Sequence, residues 1–270
     1  MTSNYLPRRV VSLQPSATVI LRDLGRLDLL VACTKYCVDV CPEIRARHLT
    51  IVADSWTAQS REISQLRPDF VIASVPYQEK ALVEILKSGT PFLALAPRKL
   101  VDIYSDIGMI ARIVDRSRQG AMIVRHMQAE IEAVRRRTKG LVKPRVFCEE
   151  WGKPLIASQP WVAELVEAAG GQFVGQPGVR VSLPEVESAM PEVIVAAWCG
   201  AGDRVPLRKL IHGRNWQALP AAASHRVCCI RDEYLNTPAP TLLFGLRALA
   251  AAIHPDVFPQ PPGLRWMDPG

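Results

Sequence analysis

No stretch of this 270-residue chain approaches the ~18 consecutive apolar residues of a membrane span, and no G-x-S-x-G elbow marks a hydrolase nucleophile. Histidine is scarce, and none of the five (48, 126, 212, 225 and 254) falls at a strand end predicted to border a ligand. A dinucleotide fingerprint is missing too. Gly200-Ala201-Gly202 follows a strand and could cradle a phosphate, but it has no third glycine in phase. The residues Met1 to Arg9 hold no apolar stretch ahead of the first strand, so the expected location is cytoplasmic, and periplasmic only if the N-terminus has been trimmed. Basic residues outnumber acidic ones 33 to 26, for a formal charge of +7. They are scattered except for Arg135-Arg136-Arg137-Thr138-Lys139, which closes a predicted helix where cations complement the dipole. With no interleaved aromatics, nucleic acid is not an expected partner.

What the chain does have is thiols. Seven cysteines (33, 37, 41, 148, 199, 228 and 229) form an odd set, which in a reducing compartment suggests metal or redox chemistry more than disulfides. Cys33-Thr34-Lys35-Tyr36-Cys37, with Cys41 beyond, follows the apolar run Leu29-Leu30-Val31-Ala32, which reads as a short buried strand. The cysteines are therefore expected on the loop after that strand, where open α/β sheets place ligands. The spacing C-x3-C-x3-C matches neither zinc-ribbon pairs nor the usual ferredoxin runs.

Strands alternate with helices along the first lobe. Val10-Val11-Ser12-Leu13 leads to a helix that Ser16 or Thr18 could cap and Gly25 ends. Thr50-Ile51-Val52, Phe70-Val71-Ile72-Ala73 and Phe92-Leu93-Ala94-Leu95 are further strands, with helices between them, as in a parallel sheet covered on both faces. Ile103, Ile107 and Ile110 mark a helix. A second, with Ile123, Met127, Ile131 and Val134 on one stripe, runs on to Lys139. After Gly140 and Pro144 the grammar repeats. Arg145-Val146-Phe147-Cys148 echoes Arg9-Val10-Val11-Ser12, and Met190-Pro191-Glu192-Val193 echoes Arg67-Pro68-Asp69-Phe70. The divisions read from this are an N-terminal α/β lobe (1–116), a connecting helix (117–140), a C-terminal α/β lobe (141–258) and a loose Pro-rich tail (259–270).

If the two lobes face each other with their carboxyl strand edges, Cys33, Cys37, Cys148 and Cys199 are expected to line one interlobe cleft, with Cys228-Cys229 closing the last strand. Soft thiolates there would suit a metal. Tyr36, Trp56, Tyr77, Trp151, Trp198 and Tyr234 gather at the same edges, where a wide flat ligand could lie between rings. Lys35, Glu149, Glu150, Lys153, Asp203, Arg204, Asp232 and Glu233 are available as polar partners. Two readings stay open: a non-catalytic binding protein for a metal complex, and an iron–sulfur or zinc protein using the thiolates as direct ligands.

Val10 to Thr18, the Tyr36 loop, Ser55-Trp56, the Leu66-Arg67-Pro68-Asp69-Phe70-Val71-Ile72-Ala73 run and the long middle helix resemble the periplasmic-binding domain for iron complexes and cobalamin. The likeness spans about residues 8 to 255. It implies two Rossmann-like lobes with parallel sheets, joined by a rigid backbone helix, with the ligand cleft between them. It implies a substrate-binding protein of an ABC importer rather than an enzyme, a small-molecule metal complex as ligand, and a transporter permease as partner. Within the family the chain is most similar to the cobalamin-binding branch, in which aromatics corresponding to Tyr36 and Trp56 contact the corrin. A cobalamin-like corrinoid is the ligand this implies first.

Overall fold

The computed structural model describes residues 6–55, 57, 59–74 and 79–268, the side chains of 79–82 apart. The chain forms two compact units, residues 1–97 with 101–126, and residues 98–100 with 127–270.

The first unit holds strands β1 (Val10–Ser12), β2 (Leu30–Thr34), β3 (Thr50–Val52), β4 (Phe70–Ser74) and β5 (Phe92–Leu95), with helices α1 (Pro15–Asp23), α2 (Lys35–Val40), α3 (Ser60–Gln65), α4 (Glu79–Lys87) and α5 (Leu100–Ile113). The sheet order is β3-β2-β1-β4-β5 and every neighbour is parallel. The order reverses between β1 and β4, which makes the space beyond their carboxyl ends the switch point of a doubly wound sheet. Val11, Leu13, Ala32, Val71 and Ala73 pack with Ile63 and Ile85 into one core. The strands read as unbroken apolar runs because both faces are covered.

Helix α6 (Ser117–Thr138) begins in the first unit and ends in the second. At ~1.5 Å per residue it is about 33 Å long. The second unit follows with β6 (Arg145–Gly152), β7 (Leu155–Ala157), α7 (Pro160–Ala168), β8 (Gln172–Phe173), α8 (Leu183–Ser188), β9 (Val193–Ala196), α9 (Leu207–Gly213), α10 (Pro220–Ala223), β10 (Val227–Ile230), α11 (Glu233–Asn236), α12 (Leu242–Ile253) and β11 (Leu264–Trp266). Its sheet runs β11-β10-β9-β6-β7, with β8 beside β6. The β9–β6 and β9–β10 pairs are parallel, while β7 and β11 are antiparallel additions at the edges.

The sequence echo between the halves is a structural echo. Arg9 N donates to an Asp69 carboxylate oxygen at 2.9 Å, while Arg9 Nε reaches the Arg67 carbonyl. In the second unit Arg145 N donates to Glu192 at 2.9 Å, and Arg145 Nε reaches the Met190 carbonyl. Arg67 and Met190, each before a proline, both have φ of 46°. The acidic residue after each proline thus ties the entering strand to its neighbour and sets the register.

Three local expectations are corrected. Helix α1 has Pro15 at its first position and no side-chain cap; Ser16 and Thr18 are buried, and Thr18 instead bonds Ser12. The cysteines are not on a surface loop, because β2 runs to Thr34 and α2 begins at once, with the Thr34 hydroxyl accepting from Cys37 N. The tail is not loose either. Gly263, at φ +85°, turns the chain so that Leu264–Trp266 pairs with β10, and Arg231 N donates to the Gly263 carbonyl.

Candidate functional site

At the carboxyl edge of the first sheet the loops are pinned by small polar side chains. Ser55 Oγ donates to the Leu13 carbonyl at 3.0 Å and accepts from Ser74 N at 3.2 Å, which bridges the ends of β1 and β4 across the switch point. Thr18 Oγ1 bonds Ser12 Oγ at 2.9 Å, and Ser12 Oγ donates to the Gln14 carbonyl. Thr34 Oγ1 lies 3.3 Å from Cys37 Sγ, which also reaches the Ser12 carbonyl at 3.8 Å. All of these side chains are buried. Over them, α2 presents Tyr36, 41% exposed, with Lys35 Nζ 4.8 Å from its ring centroid.

At the same edge of the second sheet the pins are charged. Glu149, fully buried in β6, accepts from Arg214 through both guanidinium nitrogens at 2.6 and 2.7 Å, and from the Trp198 indole N–H at 2.8 Å. Arg214 also lies over the Trp216 ring. Trp198 packs on Gly152, where a Cβ would come within 2.7 Å of the ring. Next to it, Gln159 donates to Glu150 at 2.8 Å, and Asn236 donates to both the Ala197 carbonyl and Cys199 Sγ. Burial pushes the Glu150 carboxyl up, against the Gln159 hydrogen bond. Trp151, 43% exposed, stands on this edge with its indole N–H on the Lys153 carbonyl.

The Gly200–Gly202 turn does not stand ready for a phosphate. Its two N–H groups donate to Asp232 at 2.8 and 2.7 Å, so a carboxylate of the chain itself fills the cradle. Arg204 is exposed, with Nε on the Ala201 carbonyl, and walls a cavity of about 550 Å³ with Arg208, Lys209 and Arg265. Tyr234 is half-buried, its ring tilted by 33° against that of Phe244 with centroids 5.2 Å apart, and close to Gly263. Trp56 and Tyr77 lie outside the described residues.

The thiols divide differently from the expected common lining. Cys33, Cys37 and Cys148 have no exposed surface, and Cys199 alone among the seven is exposed. Cys148 and Cys228 both sit beside Val195, in one row across β6, β9 and β10. Two strand spacings put them roughly 10 Å apart, beyond disulfide reach. Burial pushes both thiols up and keeps them protonated. Among the described residues no group of three or more His, Cys, Asp and Glu could hold a metal ion. The iron–sulfur or zinc alternative therefore has no donor set behind it. Ser55, Gln159, Arg214 and Asn236 were missed from the sequence. Only Ser55 had a local signal, as part of Ser55-Trp56.

Residues 10–234 match the family described as periplasmic binding protein. A substrate-binding lipoprotein of an ABC transporter from Bacillus subtilis is 24% identical over 267 residues, covering 94% of this chain and 82% of that protein. The vitamin B12-binding protein of Vibrio vulnificus is 25% identical over 254 residues, covering 88% and 87%. Among solved structures, a periplasmic heme-binding protein from Pseudomonas aeruginosa aligns with a TM-score of 0.84 at 20% identity, over 98% of this chain and 99% of its own. These relatives overturn the expected cytoplasmic location, since they are periplasmic or lipoproteins, and the expectation had rested on the first nine residues alone. None of their names describes an enzyme. With the match covering most of its length, the chain belongs to the periplasmic binding protein family, whose members bind small molecules rather than transform them.

Proposed function

We propose that this chain binds a metal complex carrying a broad flat ring system, a cobalamin-like corrinoid first, and hands it to the permease of an ABC importer. The observation that carries the reading is the pair of exposed rings, Tyr36 on α2 and Trp151 on β6, each at the carboxyl edge of its sheet. Exposed aromatics gain little from staying in water, and a corrin offers them large contact area at low entropy cost. Trp198, held by Glu149, and Tyr234 add further rings to the second unit, and Arg204 supplies a cation for the phosphodiester of cobalamin. The vitamin B12-binding relatives support this choice of ligand.

A second reading, an iron complex such as heme, is favoured by one feature. Cys199 is an exposed thiol at that edge; partial burial and the Glu150 and Asp232 carboxylates push it up, so it would serve as an iron ligand only by giving up its proton to the metal.

Titration of the purified chain with cyanocobalamin, hemin and a ferric hydroxamate, followed by absorbance and tryptophan quenching, separates the readings. Cyanocobalamin is expected to bind, and Tyr36→Ala and Trp151→Ala are each expected to weaken it about tenfold. Binding of hemin alone, abolished in Cys199→Ala, would replace the corrinoid by the second reading. Binding of none of the three would end both.

A further inference from the structure

The hollow between the start of α9 and β11 holds more charge than the binding of a metal complex uses. Arg204, Arg208, Lys209 and Arg265 wall its volume of about 550 Å³, together with Asp203 and Asp268. The backbone that carries them is fixed, because Val205 and Leu207 are buried in the core of the second unit and Arg265 stands in β11, paired with Cys229 of β10. The side chains are anchored as well. Arg265 donates from Nε to the Asp203 carbonyl at 2.9 Å and from Nη2 to the Val205 carbonyl at 2.7 Å. Arg208 donates to the Asp268 carbonyl at 3.1 Å, and Arg204 Nε to the Ala201 carbonyl at 3.2 Å. Loop, helix and edge strand are thus tied together around one concave surface.

We propose that this hollow is a binding site for a small phosphate-bearing anion. Its cations are held differently from other arginines of the chain. Arg22, Arg214, Arg231 and Arg247 each meet a carboxylate, whereas Arg204, Lys209 and Arg265 form no ion pair among the described residues. A carbonyl orients a guanidinium without cancelling its charge, and the two carbonyls on Arg265 engage only two of its five N–H donors. Four cations against two carboxylates leave the hollow with an excess of positive charge. That excess suits a phosphate group, which carries up to about two negative charges near neutral pH, better than a single carboxylate. The arginine fork also meets phosphate oxygens two at a time. The nearby Gly200–Gly202 turn does not compete for the anion, since Asp232 already fills it.

The volume lies in the range of small-molecule sites and exceeds what one inorganic phosphate needs. Arg208, Met267 and Asp268 are shared with a smaller hollow of about 150 Å³, which His212 and His225 also line. Arg208 therefore borders two places for an anionic group, and a diphosphate has room to occupy both. All four cations of the larger hollow are exposed, so binding weakens as salt is added. A free diphosphate and the headgroup of an anionic phospholipid present the same phosphate chemistry. They differ in whether a membrane surface must be there.

The full chain is titrated with inorganic pyrophosphate by calorimetry at low salt and, separately, sedimented with vesicles of equimolar phosphatidylcholine and phosphatidylglycerol. Two variants make the same change of charge. Lys209→Glu alters the hollow at an exposed side chain without an ion pair, and Lys139→Glu alters an exposed residue just past α6 that does not line it. Saturable binding of one pyrophosphate per chain is expected, weakened at least about tenfold by Lys209→Glu and no more than about twofold by Lys139→Glu. Binding to the vesicles alone, with the same difference between the variants, would support the proposal with a lipid headgroup as the source of the phosphate. Binding of neither probe would overturn it. So would equal losses in the two variants, which would reduce the effect to the net charge of the chain. No corrinoid or heme enters the experiment, so its outcome is separate from that of the metal-complex reading.

Discussion

The carboxyl edge of the first sheet is held by hydroxyls, that of the second by a buried ion pair, although the strands beneath are laid out alike. Leu13 in the first unit and Glu149 in the second occupy corresponding places, each one residue past the pair formed by Ser12 and Cys148 with Ile72 and Val195. In the first, the Leu13 carbonyl is tied down by Ser55. In the second, the Glu149 side chain collects Arg214 and Trp198. Neutral hydrogen bonds contribute roughly 1 kcal/mol each net, whereas a buried charge deprived of its partner costs several. One framework thus carries a forgiving edge and an unforgiving one.

The sharpest way to break that comparison is Glu149→Gln. The amide still accepts from Trp198, but Arg214, 12% exposed, is left without its counter-charge. A loss of about 3–5 kcal/mol in urea unfolding is expected, with a change in Trp198 fluorescence. Removing both charges, as Glu149→Leu with Arg214→Met, should recover much of it. A single-variant loss below about 1 kcal/mol would show that the ion pair does not hold this edge.

The first unit has its own buried carboxylate, and it behaves oppositely. Asp106 in α5 is raised to about 7 by burial and by Asp102 on the same helix. A carboxyl raised above its unfolded value favours the fold only while protonated. That contribution is fully present below about pH 4 and is lost as pH rises through about 7. Asp106→Asn should therefore stabilise the chain by on the order of 2–3 kcal/mol at pH 8 and leave it nearly unchanged at pH 4. Equal effects at both pH values would remove the titration from the account.

Much of this framework was legible because it rests on local rules. Apolar runs bounded by Gly and Pro gave the strands from Phe70 and Phe92, and the stripe from Ile123 to Val134 gave α6. The echo of Arg67-Pro68-Asp69 in Met190-Pro191-Glu192 anticipated matching hydrogen bonds. The site was less legible. Cys33, Cys37 and Cys41 recur every fourth residue, a helical period, and reading them as a loop put buried thiols on the surface. The partnership of Glu149 with Arg214, 65 residues on, depends on sheet order, which no local pattern contains. The pairing of Leu264–Trp266 with β10 likewise overrides a composition rich in proline.

The smallest expected effect sharpens the comparison from its forgiving side. In Ser55→Ala the Leu13 carbonyl and Ser74 N–H lose the hydroxyl that joins them, and Ser55 is 1% exposed, so water does not replace it without local opening. About 1–2 kcal/mol should be lost in urea unfolding, well short of the cost of Glu149→Gln. Because the lost bridge spans the ends of β1 and β4, amide exchange should quicken at Ser74 while the β2–β3 amides keep their protection. A loss as large as that of Glu149→Gln would mean that the hydroxyl bridge is as critical as the ion pair, and the contrast between the two edges would fail.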